Sequence, residues 1–370
     1  MRTKKNTMIA VICFIFALFV FLPTYSIAKT YKLRISSGVG NKHCWVAGHM
    51  VPFTERVEKA TNGQVKFSRY FAGELHKAGK GLESLKGGSI DVADPFLAPY
   101  HAGVFPLTDV VQLPVLNTDS INITEAFIKL FNSKEIIENG KTFYDLEIES
   151  QGLVAWPVGP TDAYVISTTG KRFNDTSDIK GTPIRGGART QLIFLKKLGA
   201  TEVYMTGMDA YEAFSRGTIQ GIVYSIPDWK AYGFTELIKY TIVGVSLGHY
   251  PSYMAMTKDK WERFPDDIKT KWKRIAFDMA RESAKYWMSL REPTVKESME
   301  VYKAEFENVK KLNTTVQKVI NNAAIETWKT WIAEEEKKGN PAKKVAKLWA
   351  KYVLEVGGAL PDGVEELINE

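Results

Sequence analysis

The order in which apolar runs and chain breakers recur constrains the fold of this chain more than any single motif does. Tyr31, Leu33 and Ile35 alternate with Lys32 and Arg34 and predict a half-buried strand that stops at Ser36-Ser37-Gly38-Val39-Gly40. The stripe Val46, Met50, Phe53, Val57 predicts a helix, halted at Asn62-Gly63. Val65 and Phe67 open a second strand; a helix ending near Lys86-Gly87-Gly88 and a short apolar strand at 90–93 follow. Strands alternating with helices over short connections predict a mostly parallel, doubly wound sheet.

The same order restarts after Gln151, with strands at 154–156 and 164–167, a strand centred on Ile184, a helix over 190–198, and strands at Val203 and Ile222. The two sets echo each other. Residues 83–91 (ESLKGGSID) match 212–220 (EAFSRGTIQ) in their apolar, Gly and Ile positions. Such an echo fits two similar lobes, and it also fits the usual way a helix ends at Gly before a strand. From Trp261 the pattern turns helical. Ile268, Trp272, Ile275 and Met279 form one stripe, and Val295, Met299, Tyr302, Phe306 and Val309 another, with Pro293 expected to kink or break the chain between them. Gly339-Asn340-Pro341 ends a third helix and 345–353 begins a fourth. Two α/β lobes with a helical C-terminal region have the shape of a hinged receptor, whose ligand sits between the lobes at the C-terminal ends of strands.

At the N-terminus, Arg2, Lys4 and Lys5 precede an apolar run over 8–22 that ends at Pro23, and Ser26-Ile27-Ala28 places small residues for cleavage before Lys29. Fifteen residues fall short of the roughly 20 that span a bilayer, so 1–28 is expected to be a signal peptide cleaved after Ala28, with export to a periplasm. Of the two cysteines only Cys44 would remain, so the exported chain has no internal disulfide and must be stable through its core. Cys13 lacks the preceding small residue of a lipobox, and no lipid anchor is expected. The net charge of +7 drops to +4 without Arg2, Lys4 and Lys5, too mild and too evenly spread to suggest nucleic acid.

The catalytic inventory is thin. The five histidines make no HxH or HExxH spacing, and there is no CxxC and no GxSxG. Gly38-Val39-Gly40 starts like a dinucleotide loop, but His43 occupies the third glycine position. Ser177-Asp178-Ile179-Lys180 has the SxxK spacing of acyl-serine enzymes without SDN or KTG partners; Ser177 is expected to cap the turn 178–180 instead. Arg185 stands out: it ends an apolar strand and precedes Gly186-Gly187, which let a ligand approach the backbone. Its planar fork suits a carboxylate, whether a ligand's or one of the protein's own.

The string IKGTPIR over 179–185, LGATEVYM over 198–205 and DAYEAFSRGTIQG over 209–221 resembles the signature L-K-G-x-K-I-R, L-G-A-x-P-V-x-M, E-x-Y-x-A-L-x-x-G-x-V-D-G. That signature belongs to DctP-type solute-binding proteins of tripartite ATP-independent periplasmic (TRAP) transporters. The likeness extends to 53–63, to GSID at 88–91, to Leu113-Pro114 and to WERFP at 261–265. It implies an α/β, two-lobed periplasmic-binding-protein-like fold with an interlobe cleft. The lobes are then expected at 29–155 with 245–285 and at 156–244 with 286–355, followed by a tail over 356–370. It also implies a receptor rather than an enzyme, working with small and large TRAP membrane subunits, and a salt bridge from Arg185 to the substrate carboxylate. Sialic-acid receptors carry a second arginine and keto-acid receptors a glutamine about twenty residues earlier, where this chain has Tyr164 or Val165. Where keto-acid receptors place a metal-binding Glu before an aromatic residue, this chain has Val223 before Tyr224, so no metal and no cofactor are expected.

Phe96 aligns with a position that reaches the cleft, Trp45 sits near the start of the first helix, Trp156 at the lobe crossover, and Trp229 after Pro227. Each alone also fits a core. Together with Tyr164, Met205 and Tyr224 around Arg185, they point to an aromatic or otherwise bulky monocarboxylate. A C4-dicarboxylate or 2-oxo acid is the alternative within the family. An acyl-transferase using Ser177 and Lys180, or a sensory receptor presenting its ligand-bound form to a membrane kinase, are the readings outside transport.

Overall fold

The computed structural model describes residues 29–101 and 103–370. The expected signal peptide over 1–28, its cleavage after Ala28 and Cys13 lie outside the described residues.

Eleven strands form among the described residues: β1 (Tyr31–Ser36), β2 (Val65–Tyr70), β3 (Val92–Phe96), β4 (Leu153–Val158), β5 (Tyr164–Thr168), β6 (Pro183–Gly186), β7 (Thr201–Tyr204), β8 (Gly221–Ser225), β9 (Tyr240–Val243), β10 (Ser252–Thr257) and β11 (Glu305–Asn308). They make two sheets, ordered β2-β1-β3-β10-β4 and β11-β9-β5-β8-β6-β7. Both have one plan. β1 pairs in parallel with β2 and β3, as β6 does with β7 and β8, and the next strand, β10 in one sheet and β5 in the other, runs antiparallel. That strand is exchanged: β5 comes from the crossing after β4, and β10 from the return after β9. The echo between 83–91 and 212–220 is thereby structural, with Gly88 and Gly217 both at φ 73° and Ile90 and Ile219 both fully buried.

The two crossing segments are laced together. Thr161 N–H donates to Tyr250 O at 3.2 Å, Tyr250 N–H to Thr161 Oγ1 at 2.9 Å, and Leu247 N–H to Tyr164 O at 3.0 Å. The boundary expected between 155 and 156 cuts through β4, which pairs with β10 as far as Val158, so the first sheet ends after Val158.

Helices cover the sheets where their stripes predict. Val51–Ala60 buries Phe53 and Val57; Pro52 lacks the N–H an α-helix needs, and the preceding turn Val46–Met50 is a π turn closed by Val51 N–H on Val46 O. Asp266–Glu300 is one unbroken helix that runs through Pro293 and buries Ile268, Trp272, Ile275 and Met279. The helix does not break at Pro293, which removes the donor to Ser289 O; one residue on, Thr294 Oγ1 donates to Leu290 O at 2.7 Å. The stripe expected to continue to Phe306 and Val309 ends at Glu300, because Glu305–Asn308 joins the second sheet beside β9.

Thr314–Lys337 packs against Arg189–Leu198 of the second lobe, while Trp328 Nε1 donates to Pro114 O of the first at 2.8 Å. Ala342–Glu355, expected with the second lobe, packs instead on Ser120–Asn132 of the first, where Tyr352 Oη donates to Ser133 Oγ at 3.0 Å. Its buried Val345, Trp349 and Val353 share the core of the first sheet's outer face. Among the described residues no helix is long and apolar enough to cross a membrane.

Candidate ligand-binding site

The plan of the sheets brings the C-terminal ends of β1, β6 and β8 toward one cavity of 420 Å³ between the lobes. β6 carries Arg185 to its edge, two residues before Gly187. The guanidinium is 2% exposed and fixed from its own lobe: Nε donates to Met205 O at 3.0 Å and Nη1 to Val223 O at 3.1 Å. It lies 4.8 Å over the ring of Tyr224, which stacks on Tyr164 at 5.7 Å. Both of these hydrogen bonds go to carbonyls rather than to carboxylates, so the arginine keeps its full charge for whatever enters the cavity.

The opposite wall comes from the first lobe. His43 and Trp45, on the turn after β1, stack at 4.9 Å, and Trp45 Nε1 donates to Gly159 O at 2.9 Å. Trp45 N–H donates to His43 Nδ1 at 3.2 Å, which places the proton of a neutral imidazole on Nε2. Burial lowers the His43 pKa to about 3, so the ring is neutral. Nε2 faces Asp228 Oδ1 of the second lobe at 3.4 Å, without the alignment of a hydrogen bond. Asp228 is 1% exposed, and burial pushes its pKa well above the usual carboxylate range while Arg185 pulls the other way. Tyr100, Tyr232 and Tyr250 complete an aromatic lining, and the exposed Lys77, Met208 and Asp209 lie where the cavity meets solvent.

A family model described as bacterial extracellular solute-binding protein, family 7 (DctP), matches residues 35–350. The chain belongs to that family. Relatives are distant: a solute-binding protein of Albidiferax ferrireducens is 25% identical over 224 residues, 58% of this chain and 61% of its own length. The C4-dicarboxylate-binding periplasmic protein DctP of Rhodobacter capsulatus is 24% identical over 222 residues, 59% of this chain and 62% of its own. The matched stretch is thus under two thirds of either relative. In fold, this family 7 protein is similar to a marine metagenome TRAP solute-binding protein specific for aromatic acid ligands, solved with metahydroxyphenylacetate, at TM-score 0.77 and 20% identity, over 88% of this chain and 99% of that one. It is also similar to a Rhodoferax ferrireducens TRAP solute-binding protein solved with benzoate, at TM-score 0.74 and 16% identity, over 89% and 99%. The TRAP resemblance and the two-lobed α/β fold expected from the motifs therefore hold.

The structure brings together Arg185, Trp45, Tyr164 and Tyr224 of this family 7 protein at the cavity, but not the other four residues expected there. Phe96 faces away: its ring packs on His101 and Phe105 in the first lobe's core, and its neighbour Leu97 lines the cavity instead. Trp156 lies under Trp261 and Trp272, on the face of β4 that the long helix covers. Trp229 is fully buried against Phe306. Met205 contributes its main-chain carbonyl to Arg185, while its side chain packs on the second lobe's core. Ser177, expected as a cap, sits exposed inside the helix Thr176–Ile179, whose cap is Asp175.

His43, Asp228, Tyr100, Tyr232 and Tyr250 were not legible as lining. A turn explains Asp228: β8 ends in a 3-10 turn over Ile226–Asp228, and this puts Asp228 rather than the adjacent Trp229 toward the cavity. The available signal was a lone acid after Ile-Pro in an otherwise apolar strand end.

Proposed function

We propose that this protein is the receptor of a TRAP transporter, capturing a small organic monocarboxylate with an aromatic or bulky body by lobe closure around Arg185. The observation that carries this reading is a buried guanidinium, held by two carbonyls and an aromatic ring, in a cavity walled by both lobes. A ligand carboxylate on Arg185 touches the second lobe; its body touches His43, Trp45 and Tyr100 of the first, so binding favours the closed arrangement. The aromatic walls suit an apolar body, and proteins of this fold have been solved with metahydroxyphenylacetate and benzoate. On this reading the chain is exported to the periplasm, loses its leader after Ala28, and delivers its cargo to small and large membrane subunits.

The test is thermal denaturation of the ligand-stripped protein across a panel of carboxylic acids. A ligand at 100 times its Kd stabilises the fold by about 2.7 kcal/mol. A shift with bulky monocarboxylates, absent with succinate and lost in Arg185→Ala, is expected; the lost salt bridge is worth on the order of 2–4 kcal/mol. Ser177→Ala leaves binding unchanged. A shift with dicarboxylates alone overturns the pocket reading, and no shift with any acid overturns the transport reading.

A further inference from the structure

The cavity offers a ligand two ionisable groups on the same lobe, Arg185 and Asp228. Arg185 brings one positive charge and Asp228 a carboxyl that burial pushes toward its protonated form, while His43 is held neutral. A simple monoanion on Arg185 leaves the Asp228 carboxyl without a cationic partner, and ionising it there is costly. A ligand that carries its own cation would let Asp228 ionise against it and still leave the cavity neutral.

Asp228 is placed to meet that cation. It ends the 3-10 turn that follows β8, 1% exposed, on the same lobe as Arg185. Its Oδ1 has no hydrogen-bond partner among the described residues, although His43 Nε2 lies 3.4 Å away. Tyr250 Oη, from the returning crossover, is likewise buried at the cavity without a partner. Burial disfavours a bare carboxylate here, and a cationic donor in contact with it would reverse that. The aromatic rings around it also favour a cation over their faces.

We infer that Asp228 is a specificity-determining residue that reads a protonated amine on the ligand, making the cavity selective for a zwitterionic amino carboxylic acid. Arg185 takes the carboxylate, Asp228 the ammonium, and the tyrosine and tryptophan walls the apolar body between or beyond them. His43 of the opposite lobe faces the Asp228 carboxyl at 3.4 Å, so an amine held by Asp228 lies where the two lobes meet.

This inference rests on Arg185 as the carboxylate anchor, and the test separates the two. Calorimetric titration of the ligand-stripped mature protein compares matched pairs with and without the amine: L-phenylalanine with 3-phenylpropanoate, and 4-(aminomethyl)benzoate with 4-methylbenzoate. In at least one pair the amine-bearing member is expected to bind tenfold or more tightly, and Asp228→Asn, nearly isosteric, is expected to bring that ratio close to one. Retained binding of the amine-free acid by Asp228→Asn shows that the variant is folded. Amine-free acids that bind as tightly as their partners or more tightly, and lose affinity in Arg185→Ala, overturn the role of Asp228 while keeping the anchor. So does an amine preference that Asp228→Asn leaves intact. Binding of no member of either pair overturns the anchor and this inference together.

Discussion

Gly187 lies against the guanidinium of Arg185 so closely that a Cβ at position 187 would stand 2.1 Å from Nη2 and 2.7 Å from Cζ. The Gly after the strand end is thus required by the arginine itself, beyond leaving room for a ligand. Gly187→Ala must push the guanidinium off the Met205 and Val223 carbonyls. Overpacking of this kind costs about 1–3 kcal/mol of stability, and carboxylate affinity is expected to fall at least about tenfold, equivalent to 1.4 kcal/mol. Calorimetric titration checks it; unchanged affinity would mean that the carboxylate does not sit on Arg185.

A pH dependence follows from Asp162, in the crossing between β4 and β5. It is 1% exposed, has Arg291 Nε at 3.4 Å as its ion-pair partner, and burial raises its pKa to about 6. A carboxyl whose pKa is raised on folding favours the fold most when both states are protonated. As pH rises past the unfolded value near 4, the unfolded chain ionises first, and stability falls until the folded group ionises near 6. Asp162→Asn removes that slope. Its stability relative to wild type is expected to climb between pH 4 and 6, by up to about 3 kcal/mol, and to stay level above. Urea denaturation at several pH values measures it, and parallel wild-type and variant curves would exclude the burial argument. Taking the difference between the two proteins isolates Asp162 from Asp109 and Glu147, which burial also raises, to about 7 and about 8.

The alternation of Tyr31, Leu33 and Ile35 and the helical stripe at Ile268, Trp272, Ile275 and Met279 were legible because burial of one face imposes a period. Arg185 was legible because a cation at a strand end before two glycines has few other uses. The exchange of β5 and β10 between the sheets was not, since nothing local distinguishes a strand that stays in its lobe from one that crosses. Pro293 does not break the helix because tertiary packing on both sides of Asp266–Glu300 outweighs the hydrogen bond a proline removes. The site failed by single positions: Leu97 for Phe96 and Asp228 for Trp229. At a strand end the choice of face depends on the next turn, and a period of two cannot supply that.

Those displaced aromatics make their own prediction. Phe96 is fully buried, with its ring 5.1 Å from His101 and 5.3 Å from Phe105. Phe96→Ala is expected to cost about 3–5 kcal/mol as a cavity. The gentler Phe96→Leu should lower Tm while leaving ligand affinity within twofold of wild type. A tenfold loss of affinity in Phe96→Leu would return this residue to the cleft.

Gly207 and Tyr224 form a second steric pair, and here the clash can be relieved from the other side. A Cβ at 207 would stand 2.2 Å from Tyr224 Oη, 3.1 Å from its Cζ and 3.1 Å from Tyr232 Cε1. The hydroxyl is therefore the main obstacle, and the two rings are secondary ones. Because Tyr224 supports Arg185 from below, Gly207→Ala should reduce both stability, by about 1–3 kcal/mol, and carboxylate affinity. Tyr224→Phe removes the hydroxyl and keeps the ring under the guanidinium, so alone it should change affinity little. Combined with Gly207→Ala, it is expected to recover more than half of both losses, a coupling within the 0.5–3 kcal/mol seen for residues in contact. The contacts at 3.1 Å keep the recovery incomplete. Additive losses in the double variant would show that the hydroxyl yields freely, and that something other than Tyr224 holds Arg185 in register with the cavity.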